Sequence, residues 1–142
     1  MPYMKVGDLL KGYGFISVTP DKTVREAAKV MANKGIGFLV VVDSSDPRRV
    51  VGVLSERDII RALASNKEDA KVEELMTKDV VTVKDTDTLY KAAKLMREHS
   101  IRHLVVVNED GIPVGVLSIR DLTYEEGALK ALAEEIESEF SP

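Results

Sequence analysis

The sequence contains no cysteine and no tryptophan, and no apolar run long enough to cross a membrane. The lack of cysteine excludes disulfides, thiolate metal sites and a cysteine nucleophile. A membrane span needs roughly 20 consecutive apolar residues, and a signal peptide needs an apolar run before a small-residue cleavage site. The N-terminal residues show neither pattern. We therefore expect a cytoplasmic protein with no membrane partner.

The sequence also has no excess of basic residues. It contains 20 Lys and Arg and 24 Asp and Glu, which give a net charge of −4. Residues 125–142 hold six Glu and one Lys, a net of −5, which leaves the preceding 124 residues at +1. Nucleic-acid binding needs a basic footprint, so we expect no nucleic-acid partner. With 142 residues, 44% of them hydrophobic, the chain is large enough to bury a core without disulfides or metals.

The chain is a doubled unit. A shift of 65 residues aligns Thr23–Val42 with Thr88–Val107 at 10 identities in 20 positions. Further on, Gly52–Asp58 matches Gly115–Asp121 at six of seven positions. The sequence therefore predicts one repeat over residues 1–68, a second over 69–124, and an acidic helix over 125–142.

Each repeat has the same predicted order of elements, β-α-β-β-α, which defines a mixed α/β (α+β) fold. Thr23 and Glu26 have capping-box spacing, and Gly35 is a typical helix end. Two small sheets, each with one uncovered face, would pack about a pseudo-two-fold axis. The predicted strands are 15–18, 38–42 and one ending at Ser55, with 80–83, 104–107 and one ending at Ser118 in the second repeat.

The acidic C-terminal helix carries an apolar stripe at helical spacing. Its members are Leu129, Leu132, Ile136 and Phe140. Either the rest of the chain or another chain must cover them, and oligomerisation is the simpler hypothesis.

Ser-x-Arg-Asp occurs twice where the third strand meets the last helix, at Ser55–Asp58 and Ser118–Asp121. One interpretation is structural, because Ser at the N-cap with Asp three residues later is a helix-start signature. The other is functional: a helix N-terminus attracts phosphate, and Asp can accept both hydrogens of a ribose diol. Both interpretations can hold at once.

The doubled unit, with A-x-x-x-M, I-x-x-L-V-V-V and G-V-L-S-x-R-D in each copy, resembles a tandem pair of cystathionine-β-synthase (CBS) domains. The resemblance covers residues 5 to about 124. It implies a regulatory module that binds an adenosine nucleotide in the cleft between the repeats, and that often pairs with a second module. By the same resemblance, Asp121 and Asp58 would hold ribose, Ser118 and Ser55 would meet phosphate, and Val116 and Val53 would pack on the base.

The two copies differ next to these junctions, since Ile36-Gly37-Phe38 becomes Ile101-Arg102-His103. If the strand at His103 runs beside the one ending at Ser118, Arg102 and His103 can meet phosphate oxygens. The alternative is an exposed strand-edge cation and a half-buried histidine. Arg120 and Arg57 would contact phosphate or pair with carboxylates of a partner module. With the positions that the resemblance implies, the favoured nucleotide site comprises Ile16, Ile36, Gly37, Arg102, His103, Val116, Ser118, Arg120 and Asp121. The second, weaker site that it implies comprises Phe38, Val53, Ser55, Arg57, Asp58, Val81 and Ile101.

The predicted function is non-catalytic sensing of AMP, with ADP and ATP as further ligands. The sequence offers no nucleophile–base pair, no metal-ligand cluster and no Walker-type loop. We therefore expect that the protein is not an enzyme, that it has no metal site and that it requires no cofactor. The expected partners are the nucleotide, a second copy in a homodimer, and an effector protein of unknown identity. The alternatives are a structural or interaction module, and a sensor of S-adenosylmethionine or another adenosyl compound.

Overall fold

A computed structural model gives the structure of the chain and describes residues 4–10, 12, 14–124 and 127–140. It contains two three-stranded sheets with helices, which confirms the predicted mixed α/β fold. The chain divides into two compact units. The first unit is Phe15–Val80, and the second combines Met1–Gly14 with Val81–Pro142.

The first unit holds a sheet of order β1-β2-β3, in which β1 pairs parallel and β3 antiparallel with β2. β1 is shorter than predicted, although the carbonyl of Ile16 still accepts the N–H of Val40 at 3.3 Å. The elements are β1 (Ser17–Val18), α1 (Val24–Lys34), β2 (Phe38–Val42), β3 (Val50–Ser55), α2 (Glu56–Ala64) and α3 (Val72–Leu75).

Helix α1 begins and ends where the sequence predicts. The Thr23 hydroxyl accepts the N–H of Glu26 at 3.0 Å in a complete capping box, and Gly35 ends the helix with a left-handed φ of 66°. Side chains alternate along a strand, so one face of the sheet packs on the helices. Leu39, Leu54 and Met31 belong to that buried cluster.

The second unit repeats this plan, with a sheet of order β4-β5-β6. Helix α4 is capped by Thr88 and ends at His99, and its C-cap residue Ser100 has a left-handed φ of 53°. The elements are a 3-10 helix (Val6–Leu9), β4 (Thr82–Lys84), α4 (Leu89–His99), β5 (His103–Val107), β6 (Pro113–Ser118), α5 (Ile119–Tyr124) and α6 (Ala128–Phe140).

Each unit includes a short segment that the sequence division assigns to the other repeat. The N–H groups of Val6 and Gly7 donate to Asp87 and Asp85 of the second unit at 2.9 and 2.8 Å. In the first unit, the N–H of Val72 in α3 donates to the carbonyl of Lys22 at 2.7 Å. The boundaries of the compact units, after residues 14 and 80, therefore differ from the predicted boundary between the sequence repeats, at residues 68 and 69. The repeat boundaries at 68/69 and at 124 stay predictions.

The second unit covers the predicted apolar stripe of the C-terminal helix only in part, at Leu132, which packs against the core of that unit. Leu129 is 53% exposed and Ile136 is 39% exposed, and the side chain of Phe140 lies outside the described part. The buried positions are Ala128 and Glu135 instead. The buried face is therefore rotated by one residue, about 100° around the helix axis.

The buried Glu135 side chain has a partner on helix α4. Its carboxylate accepts the backbone N–H of Tyr90, in the first turn of α4, at 3.0 Å. Helix α4 has Lys91 at the position where α1 has the capping-box acid Glu26. Glu135 thus brings a negative charge to a helix N-terminus that lacks one locally, which is a favourable arrangement.

Candidate ligand-binding site

The two Ser-x-Arg-Asp junctions form matched constellations, one in each unit. In the second unit the N–H of Ser118 donates to Asp121 Oδ2 at 2.7 Å, and the N–H of Asp121 donates back to Ser118 Oγ at 3.3 Å. In the first unit the corresponding distances are 2.9 Å and 3.3 Å. The capping interpretation is therefore confirmed at both junctions.

Capping leaves part of each aspartate unused. The bonds from the serine N–H and hydroxyl all go to Oδ2, the hydroxyl at 3.2 Å in both copies. Among the described residues, no hydrogen bond uses Oδ1 of Asp58 or Asp121. Asp58 is 5% exposed and Asp121 is half-buried. The cap thus fixes each carboxylate and leaves one oxygen to accept a further donor.

The helix N-termini offer less to a phosphate than the sequence suggested. The first N–H of α2, at Glu56, donates to the carbonyl of Gly37 at 3.0 Å, and that of α5, at Ile119, donates to Arg102 at 2.9 Å. The third N–H in each helix is taken by the capping serine. Because the serine hydroxyls also donate to Oδ2, phosphate recognition depends on nearby side chains.

Strand pairing brings the predicted phosphate-binding residues together. His103 lies directly opposite Ser118 in the β5–β6 register. Arg102 is exposed and precedes His103, which is half-buried. Arg102 and Arg120 form no ion pair with any residue of the described ranges. Two guanidinium groups and the Ser118–Asp121 cap therefore belong to one unit.

The same sheet faces carry the predicted base contacts. Val116 pairs with Val105 and Val53 with Val40, two residues before the capping serines. Since side chains alternate, each of these valines shares a face with its serine, while Leu54 and Leu117 point to the helix-covered cores. Val53 and Val116 are half-buried.

The remaining predicted residues are divided between the units. Ile16, which is 38% exposed, and Ile36, Gly37, Phe38 and Arg57 lie in the first unit, whereas Val81 and Ile101 lie in the second. Ile36, Val81 and Ile101 also pack against the buried clusters of their own units. Each predicted site draws residues from both units, so its full membership stays a prediction of the resemblance.

Two features escaped the sequence analysis. The Glu56 side chain lies over the α-carbon of Gly37. The repeat alignment held a signal for this, because Gly37 with Glu56 in the first copy corresponds to Arg102 with Ile119 in the second. Glu135 carried no such signal, since its partner Tyr90 is 45 residues away.

In the described ranges, no group of three or more His, Asp or Glu side chains is placed to hold a metal ion. No helix in those ranges has the length and apolar character to cross a bilayer.

The fold and the repeated junction define a tandem-repeat α/β protein with two related candidate ligand sites. The CBS domain model matches residues 6–65 and 72–126, so the chain belongs to the CBS domain family. The predicted resemblance is confirmed.

Solved structures of this family are similar to the chain throughout. A CBS domain protein from Pyrobaculum aerophilum, complexed with AMP, is 42% identical with a TM-score of 0.85 and covers 92% of this chain and 98% of its own. The CBS domain pair of protein MJ0100, in complex with 5′-methylthioadenosine and S-adenosyl-L-methionine, is 29% identical with a TM-score of 0.78. It covers 87% of this chain and 95% of its own.

Relatives among curated proteins are longer than the matched region. An uncharacterized 17.7 kDa protein of Acidianus ambivalens is 42% identical over 105 residues, which are 74% of this chain and 63% of that protein. An uncharacterized 33.4 kDa protein of Thermofilum pendens is 38% identical over 70% of this chain and 32% of its own length. Inosine-5′-monophosphate dehydrogenase of Nitrosopumilus maritimus is 36% identical over 75% of this chain, but over only 21% of the enzyme.

Proposed function

We propose that this chain is a non-catalytic regulatory module that binds an adenosine nucleotide, with AMP as the first candidate ligand and ADP and ATP as the alternatives. The observation that carries the proposal is the constellation of Arg102, His103, Ser118 and Asp121 in one unit. A capped carboxylate and a guanidinium group are the two chemistries that a ribose and a phosphate require.

Each residue has a stated role in this proposal. Asp121 Oδ1 accepts the ribose hydroxyl hydrogens, while Oδ2 stays in the cap. Arg102 and Arg120 bind the phosphate with charge-assisted hydrogen bonds, and the Ser118 hydroxyl joins them by turning away from Oδ2. Val116 supplies apolar surface to the base. The contacts assigned to Ile16, Ile36 and Gly37 stay predictions of the resemblance.

The ligands of similar proteins support an adenosine compound. The similar Pyrobaculum aerophilum protein is complexed with AMP, and the MJ0100 pair with 5′-methylthioadenosine and S-adenosyl-L-methionine. S-adenosylmethionine is the second candidate, and it carries a sulfonium cation. Because Arg102 and Arg120 are both cations, the Asp121 constellation favours a phosphate over that sulfonium group.

Calorimetric titration with AMP, ADP, ATP and S-adenosylmethionine tests this proposal. We expect AMP to bind in the micromolar range, and Asp121→Asn to weaken it at least tenfold. Asp110→Asn, at an exposed turn, is the matched control and should bind like the wild type. A thermal melt checks that both variants fold. Unchanged AMP affinity in Asp121→Asn, or no heat from any of the four compounds, would favour the structural or interaction module.

The proposed output is a change in conformation or assembly that an effector protein reads. This requires the nucleotide to bind one arrangement better than another. The enzymes among the relatives match over about a fifth of their length, which supports a regulatory rather than a catalytic role. We propose the cytoplasm as its location.

We also propose that the module forms a homodimer. Ile60 and Leu63 of α2 are 66% and 63% exposed, and three residues apart they share one helix face. Leu129 and Ile136 of α6 are exposed as well. Sedimentation with and without AMP tests the assembly, and Leu63→Glu is expected to shift the protein toward the monomer. A wild-type protein that sediments as a monomer at every concentration would contradict the homodimer.

A further inference from the structure

The two constellations have the same backbone hydrogen bond at matching positions, but the side chains at those positions differ in charge. The N–H of Glu56 donates to Gly37 at 3.0 Å, and the N–H of Ile119 donates to Arg102 at 2.9 Å. These bonds tie the residue after the capping serine to the start of the neighbouring strand in both repeats. At these matching positions the first unit has Glu56 beside Gly37, whereas the second unit has Ile119 beside Arg102.

In the first unit the exposed side chain of Glu56 lies where a side chain at residue 37 would begin. A methyl group built on Gly37 would lie 2.6 Å from Cδ and 2.9 Å from Cγ of Glu56, both well inside van der Waals contact. The carboxylate therefore occupies the space that a side chain at residue 37 would need. Arginine at that position requires the Glu56 side chain to move aside, and the second repeat has Arg102 and Ile119 at the two positions.

Charge follows the same division. The first-unit constellation holds the carboxylates of Glu56 and Asp58 with one guanidinium, that of Arg57. The second holds the Asp121 carboxylate with two guanidinium groups. Glu56 forms no ion pair with any residue in the described part of the chain. Its charge therefore meets an incoming anion without an internal counter-ion, and like charges repel.

We propose that Glu56 is a specificity-determining residue that excludes phosphate from the Asp58 constellation. That constellation then takes adenosine derivatives whose 5′ group carries no negative charge, and AMP binds once per chain, at Asp121. The inference rests on the proposed function, because it assumes that adenosine ligands bind at these junctions.

The test isolates the Asp58 constellation in the Asp121→Asn background and uses 5′-methylthioadenosine and AMP as probes. We expect 5′-methylthioadenosine to bind at least tenfold more tightly than AMP. Adding Glu56→Gln, which keeps the shape and removes the charge, should strengthen AMP at least tenfold and change 5′-methylthioadenosine less than threefold. Glu134→Gln, at an exposed site on α6, is the matched control and should leave the ratio unchanged.

A second variant tests whether the Asp58 constellation can be made to bind AMP. Gly37→Arg combined with Glu56→Ile, in the otherwise wild-type chain, recreates the second repeat's pattern and should raise AMP stoichiometry from one to two per chain. The inference is overturned if AMP and 5′-methylthioadenosine bind equally to Asp121→Asn, if neither binds it, or if Glu56→Gln leaves their ratio unchanged. If wild-type protein binds no AMP, the proposed function itself fails.

Discussion

Replacing Glu135 with alanine removes a contact that joins α6 to the start of α4. The Glu135 side chain is 7% exposed, and its carboxylate accepts the Tyr90 N–H at 3.0 Å. Alanine leaves that N–H without an acceptor from α6 and removes a negative charge from the N-terminus of α4. Both changes destabilise the docked helix.

The size of the effect follows from these two terms. Loss of an N-terminal capping acceptor costs about 1 kcal/mol, and loss of a favourable charge at a helix N-terminus costs roughly 0.3–1 kcal/mol. We expect Glu135→Ala to lower the free energy of unfolding by about 1–2 kcal/mol and the melting temperature by roughly 2–8 °C. Glu135→Gln keeps an acceptor and should lose only the charge term.

Urea unfolding measures the free energy, and amide exchange of Tyr90 reports on the hydrogen bond itself. Glu134→Ala, at the exposed neighbouring residue, is the control and should change stability by less than about 0.5 kcal/mol. Equal stability of the two alanine variants, or unchanged exchange at Tyr90, would refute the reasoning.

Three further predictions concern packing and charge. Leu117→Ala, at a fully buried side chain, should cost about 2–5 kcal/mol in urea unfolding, whereas Leu129→Ala should cost less than about 0.5 kcal/mol because Leu129 is 53% exposed. Gly52→Ala places a methyl group 2.6 Å from Met76 Sδ and should cost about 1–3 kcal/mol; a double-mutant cycle with Met76→Ala should show the cost partly relieved, and simple additivity would count against the clash. Hydrogen bonds from the Ser45 hydroxyl and N–H hold the pKa of Asp43 below its ordinary value, so its stabilising effect is present above the ordinary pKa and is lost as pH falls through the lowered one. In an NMR titration, Ser45→Ala should raise the Asp43 midpoint, and an unmoved midpoint would contradict that cause.

Local patterns were sufficient for much of the fold. The cap at Thr23, the helix end at Gly35 and the start of α2 after Ser55 each depend on residues within four positions. The condition set for Arg102 and His103, that the strand at His103 runs beside the one ending at Ser118, is met by the register of β5 and β6.

Other features depend on contacts that local patterns do not contain. The face of α6 that packs on the second unit includes Glu135, whose partner lies 45 residues earlier, whereas Leu129 and Ile136 of the predicted stripe are exposed. At the candidate site, the residue types were predictable, but the engagement of the helix N–H groups by Gly37 and Arg102 was not. Those bonds shift the expected phosphate contacts from backbone to side chains.

The placement of Val6 and Leu9 has a consequence for the order of events on the ribosome. Both side chains are buried in the same cluster as Leu89 and Leu104, so they emerge long before their partners are synthesised. The first unit, in contrast, is one uninterrupted stretch, Phe15–Val80, and its contacts are complete as soon as that stretch is free. During synthesis we therefore expect residues 15–80 to fold before the N-terminal segment with Val6 and Leu9 finds its place. A gene cut between codons 68 and 69 would encode two fragments. The first would lack Val72 of its own core, and the second would lack Val6 and Leu9. Evolution by simple fission at that point is therefore disfavoured.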